Sequence, residues 1–167
     1  MNLINNSNYQ EIINKFKTNQ DNNWKEWLDF YKIFDKPGKQ GLVGLLKIKN
    51  TKNDCVFKIS QYINFLIEHE SLVMKSLNDI DYCPHFCKFI GNIICDVDPK
   101  CRKEGNPFNS DCKYTIEKKV LLCDHIKNSY KFYNYIKSNN KISEDILFSI
   151  IKQVLLCITI AQRKKKF

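Results

Sequence analysis

No stretch of these 167 residues reaches eighteen consecutive apolar side chains, so no membrane-spanning helix is expected. The opening MNLINNSNYQ lacks the basic-then-apolar pattern of a secretory leader, so no export is expected. With eight cysteines and no export signal, the expectation is reduced thiols in a cytoplasmic protein. A metal site is also poorly supported. Cys83, His85 and Cys87 lie close together, but a proline falls among them and no second pair follows, whereas zinc sites use four ligands. A Walker-type phosphate loop is excluded because no glycine is followed by Lys and then Ser or Thr at the start of a helix.

What is present describes an ordinary folded chain. An apolar fraction of 43% with 27% charged residues argues for a globular domain and against disorder. The length fits one domain, or a large domain cut short. The net charge of +9 is compatible with an anionic partner, yet the lysines are spread along the chain and only 163–166 is dense. Abundant Lys, Asn and Ile also follow from AT-rich coding DNA, so nucleic acid is not the expected partner.

Along the chain, residues 1–33 read as an N-terminal extension, polar and Asn-rich at first. It ends in an aromatic cluster, Trp24, Trp27, Phe30 and Tyr31, that packs a short helix or strand onto the domain. The junction KPGKQGLVG carries Gly38, Gly41 and Gly44, where close backbone approach is allowed. LLKIKN then alternates apolar residues with lysine, NTKND reads as a hairpin turn, and CVFKIS alternates again as the next strand. The helix that follows has the stripe Ile63, Leu66, Ile67, Val73, Met74 and Leu77. Strands are predicted over 86–94 and 114–123, separated by a polar surface insertion at about 96–113. A short helix near Tyr133 and a longer one capped by Ser143 come last. The stripe Ile146, Leu147, Ile150, Ile151, Val154, Leu155 and Ile158 predicts that the longer helix is mostly buried.

Two charges stand where apolar residues are expected. Glu70 lies within the helix stripe, and a carboxylate there is costly unless it meets a cation. Lys58, on the preceding strand, is the candidate. A strand lysine paired with a helix glutamate is the ion pair with which protein kinases hold ATP phosphates.

The order of elements, together with KPGKQGLVGLLKIKN, CVFKISQYINFLIEHESLVMKSL and CPHFCKFIG, resembles the N-terminal lobe of a protein kinase plus the first C-lobe helices. It is most similar to the serine/threonine kinases of giant DNA viruses, over roughly 34–167. The resemblance implies an α+β fold: an antiparallel five-stranded sheet with one Glu-bearing helix over 34–126, then two helices over 127–167. It also implies ATP as ligand and, for a viral product, the host cytoplasm as location. Gly41 and Gly44 match the second and third loop glycines, while Lys39 stands at the first. Leu46 and Val56 would enclose the adenine, Lys58 would hold the α- and β-phosphates, and Glu70 would orient Lys58. Cys123 matches the gatekeeper, and Asp124, His125 and Ile126 match the hinge.

The parts that perform phosphoryl transfer have no match. No His-x-Asp loop and no DFG sequence occur in these 167 residues, so no base and no Mg²⁺ ligands are supplied. Mg²⁺ is expected only in a complete kinase. The expectation is a kinase-like protein that is inactive as this chain alone, with a protein partner over the incomplete C-lobe face. The alternatives are a non-catalytic nucleotide- or protein-binding module and, less favoured, a basic nucleic-acid-binding protein.

Overall fold

The computed structural model describes residues 7–19, 23–34, 41–60, 64–80, 83, 85–99, 105–109, 113–129, 132–138 and 142–165. Gly38, Lys39, Ile63, Pro84 and the 35–40 half of the glycine-rich junction lie outside them. Five antiparallel strands form one sheet: β1 (Leu28–Ile33), β2 (Gly41–Ile48), β3 (Asp54–Ser60), β4 (Phe89–Val97) and β5 (Ile116–Asp124). Their order across the sheet is β1-β2-β3-β5-β4, which puts β3 at the centre. Helix α1 (Ser7–Thr18) precedes the sheet, and α2 (Asn64–Asn78) joins β3 to β4. After β5 come α3 (Phe132–Ser138) and α4 (Glu144–Lys165). The expected α+β class and the five-stranded antiparallel sheet are both present.

Period-two alternation divides the sheet into two faces with different covers. On one face Cys55, Phe57 and Ile59 of β3 join Leu46, Ile48, Val120 and Leu122 in the main core. Its cover comes from the N-terminal segment: Ile12 of α1, with Trp24 and Trp27 around a short 3-10 turn (Trp24–Glu26). On the other face Val56 joins Leu121 and Cys123 beneath Ile67 of α2. The hairpin between β2 and β3 closes as expected around Asn50, whose φ of 61° is a left-handed value that Asn tolerates. Thr51 Oγ1 accepts the Asn53 N–H at 3.1 Å within that turn.

Several expectations change. The described part of 1–33 belongs to the fold itself: Leu28–Ile33 is an edge strand of the sheet, and Ile12 of α1 is 1% exposed. Trp24 and Trp27 are core residues and Phe30 packs against them in part, as the density of aromatics suggests, whereas Tyr31 is exposed. The 96–113 insertion is also not purely superficial. Phe108 is buried, with its ring 5.1 Å from Phe57 and 4.9 Å from Trp24, so part of the insertion plugs the core. The stripe of α2 is buried less than its sequence predicts: Ile67 and Ser71 are buried, while Leu66 is exposed. Ser71 is accommodated by donating to Ile67 O at 2.6 Å and pairing with Asn92 Oδ1 at 2.9 Å.

The largest departure is α4. Ser143 caps it as predicted, with the Ile146 N–H 3.4 Å from Ser143 Oγ. Of its side chains, however, only Cys157 is buried, and Leu147, Phe148, Ile151, Val154, Leu155 and Ile158 are exposed. The helix period is as read; what the pattern could not supply is a partner surface. No helix among the described residues is long and apolar enough to cross a membrane.

Candidate functional site

Lys58 and Val56 leave β3 on the face that α2 covers, because they alternate with the buried Cys55, Phe57 and Ile59. Glu70 lies one helical turn beyond Ile67, the residue that anchors α2 to that face. The two charges meet. Lys58 Nζ donates to Glu70 Oε2, with about a quarter of the lysine side chain and a third of the glutamate left accessible. The pair is therefore neither a surface ion pair nor a sealed one, and Lys58 keeps donors for a third group.

Strand register settles which neighbours share the site. Val56 lies opposite Leu45 on β2 and Cys123 on β5, while Lys58 lies opposite Val43 and Leu121. Paired residues of antiparallel strands point to the same face, so Leu45, Val56 and Cys123 line up beside Lys58. Leu46 does not. It pairs with Cys55 and is fully buried in the opposite core, so the expected contact between Leu46 and a base does not fit the register, and the β2 residue on the Val56 face is Leu45. A one-residue difference in alignment moves a side chain through the sheet.

Gly41 and Gly44 both have a packing reason to be glycine. A Cβ on Gly41 would fall on the Ile59 carbonyl, and one on Gly44 would fall on the Lys32 carbonyl and the Phe57 ring. Gly41 pairs with Ser60 at the end of β3, whereas Gly44 pairs with Phe57 on the far face.

Beyond Cys123 the chain leaves the sheet through Asp124, His125 and Ile126. The Asp124 N–H donates to Lys88 O at 2.9 Å, and its carbonyl accepts from Cys87 Sγ at 3.5 Å. Burial pushes the Asp124 carboxyl up, partly offset by the His125 N–H that it accepts. His125 Nδ1 lies 2.7 Å from Asp54 Oδ1 and Lys127 Nζ lies 3.8 Å from the same oxygen, tying this connector to the start of β3. Ile126 is exposed. The Cys123 thiol is pushed up by its hydrogen bond to Cys87 and by burial, so it sits at the site as a protonated, apolar group.

Between β3 and α2 lies a cleft of about 170 Å³, lined by Lys58, Ser60, Leu66, Ile67, His69 and Glu70. That is below the roughly 300–1,000 Å³ of sites enclosing a drug-sized ligand, so it suits one phosphate-sized group rather than a whole nucleotide. Ser60 was legible in principle, being two residues beyond Lys58 on the same strand face. Leu45 was not, because it depends on register. Among the described residues no group of His, Cys, Asp and Glu is arranged to hold a metal ion.

No protein-family model matches the chain. It is 27% identical over 149 residues to the uncharacterised protein 038R of Invertebrate iridescent virus 3, a match covering 68% of this chain. The matched stretch is 27% of that protein, so the chain spans about a quarter of the relative's length.

Proposed function

We propose that this chain is a kinase-like nucleotide-binding lobe, whose ligand is ATP and whose family chemistry is phosphorylation of Ser or Thr in proteins. The observation that carries the proposal is the Lys58–Glu70 pair, joining the central strand to the helix that packs on it. The supports are the order of elements and the apolar Leu45, Val56 and Cys123 on the same face. In this reading Lys58 binds phosphate oxygens as a point charge and Glu70 fixes its direction. Leu45 and Val56 cover one side of the adenine, and the backbone of 124–126 reads its edge.

Binding is the whole of the activity proposed for these residues. Phosphoryl transfer needs a positioned base and metal ligands, and the sequence contains neither the His-x-Asp nor the DFG motif that supplies them. A thermal shift with ATP tests the reading. The parent should be stabilised, by RT ln(1 + [L]/Kd), and Lys58→Met should lose most of that shift. An absence of response in both proteins rejects it, and strong phosphotransfer by the chain alone rejects the claim of inactivity.

A second reading is favoured by one observation. The apolar face of α4, with Phe148 69% exposed, is the kind of surface that protein partners cover. A protein-binding module would use α4 whether or not nucleotide binds.

A further inference from the structure

We propose that the Ser60 hydroxyl is a direct hydrogen-bond donor to the phosphate end of a nucleotide held at Lys58. The proposal rests on the nucleotide reading above and adds a ligand that the kinase resemblance does not assign. Ser60 ends β3 two residues beyond Lys58, so both side chains leave the strand on the face toward α2. It is 2% exposed, and its Oγ makes no hydrogen bond among the described residues.

A buried hydroxyl without a partner is destabilising, and such groups are few in folded proteins. This one borders the cleft that Lys58 and Glu70 also line, a cleft whose size suits a phosphate group. The cross-strand neighbour of Ser60 is Gly41, so β2 brings no side chain to that position. The orphaned donor, the adjacent ammonium and the small cleft therefore describe one anion subsite. Lys58, oriented by Glu70, supplies charge, and the hydroxyl supplies a second, directional donor. A hydrogen bond to an ionised phosphate oxygen is stronger than one between neutral groups.

Isothermal titration of the parent, Ser60→Ala and Ser60→Thr with ATP, inorganic tripolyphosphate and adenosine tests this. Ser60→Ala should weaken ATP and tripolyphosphate about tenfold and leave adenosine unchanged. Ser60→Thr, which keeps the hydroxyl, should retain the parent affinity. Without ligand, Ser60→Ala should melt no lower than the parent, because it removes an unpaired hydroxyl and no bond. Equal ATP affinity in Ser60→Ala and the parent overturns the role of Ser60 and leaves the nucleotide reading standing. A lower Tm of unliganded Ser60→Ala, or an equal loss of adenosine, shows a structural role and also overturns it. A parent that binds neither ATP nor tripolyphosphate overturns both.

Discussion

Helices α2 and α4 carry similar sequence signals and reach different ends. In fifteen residues α2 buries Ile67 and Ser71 and delivers Glu70 to Lys58. In twenty-two residues α4 buries Cys157 alone. What holds α4 is a small cluster of Ile80, Cys83 and Cys157, helped by Lys165 Nζ at 2.7 Å from Asp79 Oδ2. An apolar stripe states that a helix has a face to bury and leaves open what buries it. For α2 the partner is the sheet surface formed by Val56, Leu121 and Cys123. For α4 the described residues offer none beyond that small cluster.

The strongest way to break this contrast is to truncate one anchor on each helix. Ile67→Ala should destabilise the protein by about 2–5 kcal/mol, since the side chain is 1% exposed and packs on the sheet. Leu155→Ala, at 58% exposure, should stay within about 0.5 kcal/mol. Urea unfolding measures both. If Leu155→Ala proves as costly as Ile67→Ala, α4 is covered in solution, by a second copy or by other chain, and the contrast between the helices fails.

The same distinction separates what is legible in the sequence from what is not. Local periodicity found β2, β3, α2 and α4, and the mismatch of two charges with their surroundings found Lys58 and Glu70. Each of those signals is read from a residue and its near neighbours in sequence. Burial depends on partners distant in sequence. The placing of Phe108 against Phe57 and Trp24, and the exposure of Leu155, were therefore not readable. Register lies between these cases. Leu45 rather than Leu46 flanks Val56 because β2 pairs with β3 one residue away from the alignment that the glycines suggested.

The thiols sharpen the difference between the sheet and its periphery. Burial, aided by Asp54 and Asp124, pushes Cys55 up to about 12, and burial with Asp96 pushes Cys95 up to about 12, from the usual 9.0. A thiol whose folded pKa is raised is protonated in the native state where the unfolded chain is already ionised. The unfolded state then binds fewer protons, so stability falls as pH rises. The stabilisation is fully present below pH 9 and is lost progressively between 9 and 12. Each thiol contributes a slope on the order of 1.4 kcal/mol per pH unit within that window. Urea midpoints across it should drop accordingly, and Cys55→Ala should flatten the decline. Among the six described thiols, Cys87, half-buried and lowered by its hydrogen bond from Cys123, should react first with a thiol reagent at about pH 8.

The smallest expected change in stability concerns the pair that joins α2 to the sheet. Glu70→Gln keeps the shape of the side chain and removes its charge. Both members of the pair remain partly accessible, so its loss should cost about 0–1 kcal/mol, well below Ile67→Ala. The effect on ligand should be far larger than that. On the proposed nucleotide-binding reading, loss of Glu70 as a charged acceptor leaves Lys58 without a fixed direction, and the rise in Tm proposed for ATP should shrink toward that of Lys58→Met. A Glu70→Gln variant that unfolds as readily as Ile67→Ala would make the pair a structural tie. One that keeps the full ATP response would sever Glu70 from the site. Only a stable variant with a weakened response fits α2 as the helix that packs in order to place one carboxylate.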